Sequence, residues 1–227
     1  MKHFVLMLSL LILISIPFSG SASAYQFDFE SGVPSVFSGG SGASASGYSG
    51  YGFGGSFYRS SNSLSLTLTG LTAHDSIDLD FFLAVIDSWD GSNTSVAPDY
   101  FNVSIDGNII FHETFDNFSS SDQSYTAPAG GLLVRDTNLY GASGWPDSAY
   151  NMGIDSVFNN ISHTSSSLTI AWYADGHGWQ GGSDEYFAID NIDVTLNKTS
   201  PTPEPATMLL LGSGILGLAG IWRKKRR

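Results

Sequence analysis

The sequence predicts an all-β fold, an antiparallel jelly-roll-like β-sandwich, between two apolar terminal segments. Apolar and polar residues alternate in short runs from residue 57 to residue 196, and Gly, Ser, Asn and Asp separate these runs. An alternation of two residues places one face of a strand on a core and the other in solvent. No stretch between Tyr25 and Ser200 has the periodicity of an amphipathic helix. About eight or nine short strands of this kind are typical of a sandwich whose first and last strands pair.

Residues 1–24 predict a secretory signal peptide. Lys2 precedes an apolar run from Phe4 to Ile16, and Ala22-Ser23-Ala24 forms a small-residue cleavage site. The apolar run is shorter than the roughly 20 residues that a membrane-spanning helix needs. We therefore expect cleavage after Ala24 and export of a domain that covers residues 25–199.

The alternation also locates individual strands within this domain. The Asp106-Gly107 pair separates two apolar runs and predicts a two-residue hairpin turn. Ile189 and Ile192 are three residues apart, a spacing that breaks the alternation and predicts a β-bulge in the last strand. The predicted strands are Tyr25–Glu30, 64–68, 77–82, 101–105, 109–111, 131–135, 167–174 and 186–196.

Residues 38–56 are almost entirely Gly, Ser and Ala, with Tyr48, Tyr51 and Phe53 between them. This composition offers little apolar surface to offset the entropy of ordering the chain. We therefore expect a mobile Gly/Ser-rich loop over 38–56. A role for its aromatic residues in adhesion or in stacking on sugars is the alternative.

Charge divides the chain into two unlike parts. Five of the nine Lys and Arg residues are the last five of the chain, whereas residues 25–200 contain three Lys or Arg and 20 Asp or Glu, a formal charge of −17. Such a surface repels phosphates, which excludes a nucleic-acid-binding role. The absence of cysteine excludes a disulfide scaffold, a thiolate zinc site and a cysteine nucleophile.

Residues 201–227 combine three features in a fixed order. Pro203-Glu204-Pro205 precedes an apolar, glycine-interrupted run that predicts a transmembrane helix over 207–222, and the basic tail 223–227 follows. A basic cluster keeps this end of a helix in the cytoplasm. The order and spacing resemble the PEP-CTERM sorting signal of bacterial proteins that an exosortase processes.

That resemblance implies an address and a processing partner. An exosortase would recognise the Pro203-Glu204-Pro205 region while the helix holds the protein transiently in the inner membrane of a Gram-negative cell. The processed protein would then reach the cell surface or the extracellular matrix. Proteins with this signal accompany exopolysaccharide production in biofilms, so an exopolysaccharide or another extracellular glycan is the implied ligand.

The exported domain carries a second resemblance, to the jelly-roll ectodomains of exported bacterial proteins, to carbohydrate-binding modules and to MAM-like domains. Its motifs are Phe27–Glu30 (FDFE), Ser56–Ser61 (SFYRSS), Asp87–Gly91 (DSWDG) and Phe187–Leu196 (FAIDNIDVTL). The chain departs from MAM domains because it has no cysteine where they have disulfides. In sandwiches of this type a structural calcium ion often joins the first strand to the last.

Calcium is accordingly the cofactor we expect. Ca²⁺ takes six to eight oxygen ligands from carboxylates, carbonyls and water. Asp28 and Glu30 leave the same face of the predicted first strand, and Asp190 lies at the predicted bulge, so these three are the first candidate ligands. The alternative ligands are Asp87, Asp90 and Asp99. The alternative is that both sets of carboxylates belong to a solvated acidic surface that binds no metal.

Three tryptophans in turn-like sequences predict a carbohydrate-binding site. A flat indole beside Asp, Asn or Gln side chains suits a sugar ring. The candidates are Trp89, Trp145 and Trp179. The alternative is that each indole covers one end of the sandwich core.

Catalysis has less support in the sequence. The HExxH and GxSxG motifs are absent, and among 20 acidic residues some pair will always resemble the opposed carboxylates of a glycosidase. We therefore expect a protein that is not an enzyme. A carbohydrate-binding module and a structural matrix or adhesion protein without a specific ligand both fit, and a secreted polysaccharide hydrolase fits less well.

Overall fold

The computed structural model describes residues 23–93, 95, 98–140, 144–182, 184–198, 211–215 and 222. Residues 22–199 form one compact unit. Most of the signal peptide predicted over 1–24 lies outside the described residues, as do Pro203, Glu204 and Pro205. Residues 211–215 are helical, but no helix among the described residues has the length and apolar character needed to cross a membrane.

Antiparallel strands account for nearly all the regular structure of the compact unit. The strands are β1 (Ser23–Phe27), β2 (Phe37–Ser38), β3 (Ser41–Ser44), β4 (Ser56–Ser60), β5 (Ser63–Thr69), β6 (Ser76–Asp87), β7 (Tyr100–Ile105), β8 (Asn108–Thr114), β9 (Leu132–Thr137), β10 (Asp147–Asn151), β11 (Ile161–Ser162), β12 (Ser167–Asp175) and β13 (Glu185–Asn197). Two short 3-10 helices, Ser46–Tyr51 and Ser156–Phe158, lie between them.

These strands form the two sheets of a sandwich, which confirms the predicted fold class. The larger sheet has the order β3-β4-β13-β6-β10-β9, with β1 paired to β13 and β11 to β6. The smaller sheet has the order β2-β5-β12-β7-β8. The first strand thus pairs with the last, Tyr25 opposite Val194, as expected for a jelly-roll-like domain.

The main core fills the space between the sheets. Every second residue from Leu64 to Leu68 faces it from the smaller sheet, and every second residue from Ile77 to Val85 faces it from the larger sheet. Both sheets and this core lie within residues 22–199, so this unit has a hydrophobic core of its own, as independently folding domains do.

The two local irregularities predicted from the sequence are confirmed. Asp106 and Gly107 both have positive φ, +49° and +81°, and Ile105 pairs with Asn108 across them. These are the dihedral angles of a two-residue hairpin turn. In β13 the register against β6 shifts between Asp190 and Asp193, so the bulge lies where the isoleucine spacing placed it.

The first strand is shorter than predicted. It ends at Phe27 instead of Glu30, because Phe29 adopts φ +56°, which an extended strand does not allow. The Gly32 N–H donates to the Phe29 carbonyl oxygen at 3.1 Å and closes a turn. Asp28 and Glu30 therefore lie in the loop after β1.

The Gly/Ser-rich segment 38–56 is packed and not a mobile loop, which corrects the prediction. It forms β3 and the 3-10 helix Ser46–Tyr51. Tyr48 and Phe53 are buried in a second apolar cluster on the outer face of the larger sheet, together with Ala84 and Ile86 of β6. Composition alone did not predict this packing, because only a few aromatic side chains supply the buried surface. The small residues between them leave room for these rings to pack.

Candidate functional site

An acidic cluster lies where the β6–β7 loop meets the start of β13. Asp90 and Asp99 belong to this loop, and Glu185 is the first residue of β13. One carboxylate oxygen from each residue lies within 4.8 Å of those of the other two. In the part of the chain that the structure describes, no other group of three or more Asp, Glu or His side chains converges so closely. We call Asp90, Asp99 and Glu185 the acidic triad.

Backbone groups satisfy only part of the triad's hydrogen-bonding capacity. Asp99 Oδ2 accepts a hydrogen bond from the Asp90 N–H at 2.8 Å. Glu185 Oε2 accepts from the N–H groups of Gln180 and Gly181 at 2.7 and 3.2 Å. The remaining oxygens, Asp99 Oδ1 and Glu185 Oε1, are buried and accept no hydrogen bond from an N–H or hydroxyl group of the described residues. The two carboxyls can be hydrogen-bonded to each other when one of them carries a proton. Both residues are 0% exposed.

Burial and like charge act together on these carboxyls. Burial raises the pKa of Asp99 to about 7; the hydrogen bond from the Asp90 N–H opposes this rise, and the charges of Glu185 and Asp90 add to it. Burial also raises the pKa of Glu185, against the two backbone N–H groups that bind its carboxylate. No described Lys or Arg forms an ion pair with the triad. The site therefore concentrates negative charge without a protein cation to balance it.

The alternative calcium ligands predicted from sequence are only partly brought together. Asp90 and Asp99 converge as expected, but Glu185, and not Asp87, is the third member of the triad. Asp87 ends β6 with φ +71°, and its N–H donates to Asp147 Oδ1 at 3.0 Å. The sequence did not single out Glu185, because it lies 95 positions after Asp90 and reaches the loop only through the pairing of β13 with β6.

The first set of predicted ligands occupies a different place in the domain. Asp28 and Glu30 are near enough to Asp190 that their charges raise its pKa, although burial is the larger cause. Backbone N–H groups bind the carboxylates: Gly54 donates to Asp190 Oδ2 at 2.9 Å and Ser56 to Glu30 Oε1 at 2.9 Å. The three side chains do not converge as the triad does, and a metal at this place stays a prediction.

The three candidate tryptophans have different environments. Trp89 is 1% exposed, and its indole N–H donates to the Tyr186 carbonyl oxygen at 2.8 Å. Trp179 packs on it edge to face at 4.9 Å and donates to the Ser61 carbonyl oxygen at 3.1 Å. These two indoles cover the end of the core, which was the alternative to sugar binding, and the burial of Trp89 removes it from the predicted ligand-binding set.

Trp145, by contrast, is on the surface. It is 46% exposed and packs edge to face, with ring centroids 5.8 Å apart, on Phe118, which is 52% exposed. Phe118 was not predicted as a site residue, since it lies 27 positions before Trp145 and only the fold brings the two together. We call Phe118 and Trp145 the aromatic pair.

The loop of the triad is tied to the segment after β8, which carries Phe118 of the aromatic pair. The Asn93 side chain donates to the Ser121 carbonyl oxygen at 2.8 Å, and its backbone N–H donates to the Asp122 carbonyl oxygen at 3.1 Å. A Cβ at Gly91 would lie 1.9 Å from that same Asp122 oxygen, so the two loops are in close backbone contact. The Phe118 N–H is in turn fixed by Asp116 Oδ1 at 2.8 Å. The triad and the aromatic pair thus belong to one cluster of loops.

A buried histidine pair, which no sequence motif indicated, lies elsewhere in the domain. His74 Nε2 is 2.6 Å from His163 Nδ1, His74 Nδ1 is 2.6 Å from the Thr72 carbonyl oxygen, and His163 Nε2 is 3.1 Å from Asp106 Oδ2. These contacts join the hairpin turn that contains Asp106 to the loops that contain His74 and His163.

Comparison with known proteins identifies the C-terminal segment. Residues 201–227 match the PEP-CTERM protein-sorting motif, which confirms the resemblance predicted from Pro203-Glu204-Pro205 and its surroundings. A motif of this kind implies an exported protein with a C-terminal sorting region. No curated protein matches the chain.

Three solved structures are similar to the β-sandwich. The K1 cleaved adhesin domain of Lys-gingipain from Porphyromonas gingivalis W83 has 15% identity and a TM-score of 0.41, over 77% of this chain and 99% of that one. TmCBM61 in complex with β-1,4-galactotriose has 14% identity and a TM-score of 0.35, over 75% and 94%. The CBM22-1 xylan-binding domain from Paenibacillus barcinonensis Xyn10C has 11% identity and a TM-score of 0.34, over 79% and 97%.

Proposed function

We propose that the domain is a non-catalytic carbohydrate-binding module of an exported cell-surface or matrix protein, and that the aromatic pair is its contact with the sugar. The observation that carries this proposal is the exposure of Trp145 beside the equally exposed Phe118. Large exposed aromatic side chains in contact with each other are unusual on a soluble surface unless they bind something. An indole face next to polar loop groups suits the apolar face of a pyranose ring.

The C-terminal segment supports the location. The match of residues 201–227 to the sorting motif supports processing by an exosortase, after a transient stay in the inner membrane, and delivery to an extracellular matrix that contains exopolysaccharide. Replacing Pro203-Glu204-Pro205 by three alanines tests this step. We expect the altered protein to stay unprocessed in the membrane fraction. The unaltered chain should leave that fraction in a strain with an active exosortase and stay there in a strain without one. Unaltered protein that stays intact in the membrane of both strains contradicts the sorting proposal.

Charge narrows the class of glycan. The exported segment has a formal charge of −17, so an anionic polysaccharide would be repelled at low ionic strength. A neutral polysaccharide with exposed axial C–H groups meets no such barrier and stacks well on an indole. We therefore favour neutral glycans as ligands.

Affinity electrophoresis of the 22–199 domain tests the proposal. The gels contain xylan, β-1,4-galactan or mixed-linkage β-glucan as neutral probes and alginate as an anionic probe. We expect retardation by at least one neutral probe and none by alginate. Trp145→Ala should weaken the binding about tenfold or more, as the loss of a central aromatic contact usually does, and Phe118→Ala should weaken it too.

Ile109→Ala is the matched control. Ile109 is 57% exposed, but it lies beside the Asp106-Gly107 turn, at the end of β8 away from Thr114 and the loop that follows. Its replacement should leave retardation unchanged. Sugar binding is contradicted if no neutral polysaccharide retards the domain relative to a gel without polysaccharide. Sugar binding by the aromatic pair is contradicted if Ile109→Ala and Trp145→Ala reduce the retardation equally.

A structural matrix protein is the second candidate, and one observation favours it. β3 (Ser41–Ser44) forms an edge of the larger sheet and consists of small residues without the Lys or Pro that usually protects an edge. Such an edge can pair with a second copy. Concentration-dependent self-association of the 22–199 domain, abolished by Ala43→Pro, together with an absence of glycan binding, would favour this candidate.

A further inference from the structure

We propose that Asp90, Asp99 and Glu185 bind one calcium ion, which joins the β6–β7 loop to the start of β13. This inference goes beyond the proposed function, because it concerns the stability of the domain and holds whether or not the domain binds a sugar. The sequence offered Asp87 as the third ligand of this loop; the fold replaces it by Glu185.

The strongest support is the pair of buried oxygens without partners. Asp99 Oδ1 and Glu185 Oε1 are both inaccessible to solvent, and no N–H or hydroxyl group of the described residues donates to them. The only hydrogen bond open to them is one between the two carboxyls, which requires a proton on one of them. A buried polar atom left in this state destabilises the fold, and more so if it is charged. Native proteins avoid this loss, so such atoms call for a bound partner. The second oxygen of each carboxylate is already held by backbone N–H groups, which fixes both side chains in place.

The ligand set indicates the kind of ion. All three groups are carboxylates, hard oxygen ligands that suit calcium or magnesium rather than the metals that prefer imidazole or thiolate. Mg²⁺ keeps several waters and usually accepts one or two protein carboxylates in a strict octahedron. Ca²⁺ accepts three carboxylates and irregular geometry, and it can complete its coordination with loop carbonyl oxygens and water.

Charge leads to the same conclusion. Asp116 and Asp184 lie close enough to add negative charge next to Asp90. Neither described arginine neutralises the cluster, since Arg59 lies over the rings of Tyr140 and Tyr186 and Arg135 donates to the Asp116 carbonyl oxygen and to Tyr150. A divalent cation would supply the balancing charge that no described Lys or Arg supplies at this site.

The position of the site gives the ion a structural task. The triad connects a loop to the strand at the centre of the larger sheet, and the same loop is hydrogen-bonded through Asn93 to the segment after β8. A bound ion would therefore order both loops at this end of the sandwich. In a chain without cysteine, it would take the place of a disulfide.

A thermal melt of the 22–199 domain tests the proposal. The domain is freed of metal with a chelator at pH 7.5 and then melted with CaCl₂, with MgCl₂ and without either. At a calcium concentration 100 times the dissociation constant, we expect the midpoint to rise by about 5–10 °C, and much less with magnesium. Asp99→Asn and Glu185→Gln should each remove this rise. Asp190→Asn, in the other acidic group, is the control and should keep it.

The outcomes separate the possible explanations. A wild-type midpoint that does not change with CaCl₂ overturns the proposal. A proton shared by Asp99 and Glu185 would then explain why the two carboxyls lie close together. A calcium effect that survives Asp99→Asn but is lost in Asp190→Asn places the ion at Asp28, Glu30 and Asp190 and also overturns it. Should Asp99→Asn fail to fold, terbium luminescence of the wild type decides: Trp89, the residue before Asp90, should sensitise bound Tb³⁺, and Ca²⁺ should displace it. An absence of sensitised emission contradicts the site.

Discussion

Tyr48 shows how a single residue can be central to the packing and yet not optimal for it. Its ring is fully buried between Phe53 and Phe57, with centroid distances of 5.2 and 5.7 Å. The hydroxyl, however, has no hydrogen-bond partner among the described residues. Burial is also the main reason why the pKa of this phenol is raised. The aromatic body therefore stabilises the fold while the hydroxyl opposes it.

We expect Tyr48→Phe to increase the free energy of unfolding by about 1 kcal/mol, because it removes a buried polar group that is not hydrogen-bonded. Tyr58→Phe is the matched control: Tyr58 is also buried, but its hydroxyl accepts a hydrogen bond from the Gly40 N–H at 3.0 Å. The free energy of unfolding of Tyr58→Phe should be lower than that of the wild type by about 1 kcal/mol. Urea denaturation of both variants measures the difference, and equal destabilisation by the two would show that the Tyr48 hydroxyl has a partner.

The site residues that the sequence could indicate are those whose chemistry is local. Trp145 and the Asp90–Asp99 pair stand out because turn-forming residues surround them. Glu185 and Phe118 do not stand out, since each acquires its role through strand pairing or loop contact with a distant segment. Trp89 and Trp145 have similar sequence surroundings, yet one is 1% and the other 46% exposed. Burial of an individual side chain is decided by tertiary packing, which a local pattern does not contain.

At the scale of elements, the strands with a regular alternation were predictable and the short ones were not. β5 and β12 each bury one face, so the period of two residues is visible in their sequences. β2, β3 and β11 have two to four residues, too few to establish a period. The later part of β6 is buried on both faces, because the Gly/Ser-rich segment covers the outer one.

The 3-10 helix Ser46–Tyr51 offers a direct test of that cover. A Cβ at Gly47 would lie 1.8 Å from the Leu139 carbonyl oxygen, whereas a Cβ at Gly50 would meet nothing within 4 Å. Gly47→Ala should therefore lower the free energy of unfolding by about 1–3 kcal/mol, the usual cost of overpacking. Gly50→Ala, in the same helix, should be neutral or slightly stabilising because it restricts the unfolded chain. Denaturant titration compares them, and identical midpoints would indicate that the segment is not packed against residue 139.

For the whole molecule, the separation of the basic residues from the domain has a physical consequence. The acidic domain keeps three Lys or Arg against 20 Asp or Glu, and several of its carboxyls are buried. Burial is the largest cause of the raised pKa of Asp80, Asp147 and Asp190. For Asp190, the N–H groups of Gly54 and Asn191 oppose the rise, while the charges of Glu30 and Asp28 add to it, and the pKa reaches about 6.

The sign of the pH dependence follows from these pKa values. A carboxyl with a pKa of about 6 in the folded state and the ordinary value of 3.8 in the unfolded chain binds its proton more tightly when the protein is folded. Above pH 6 the carboxyl is charged, and its burial lowers the free energy of unfolding by the full amount. This destabilisation decreases as the pH falls from about 6 towards about 4 and the folded protein takes up the proton. With chelator present, we therefore expect the 22–199 domain to be more stable at pH 5.5 than at pH 7.5, with Asp190 contributing about 1 kcal/mol to the difference between these two pH values.

Thermal melts at the two pH values, in the wild type and in Asp190→Asn, measure this contribution. The variant cannot gain a proton at residue 190, so its midpoint should change less between pH 7.5 and pH 5.5 than that of the wild type. Asp136→Asn is the control, because Asp136 is exposed and its φ of +53° suits asparagine; it should retain the wild-type difference. A wild-type midpoint that falls on acidification would contradict this prediction. It would show that the pH dependence of stability is dominated by groups that lose favourable contacts when they are protonated, and not by the excess negative charge.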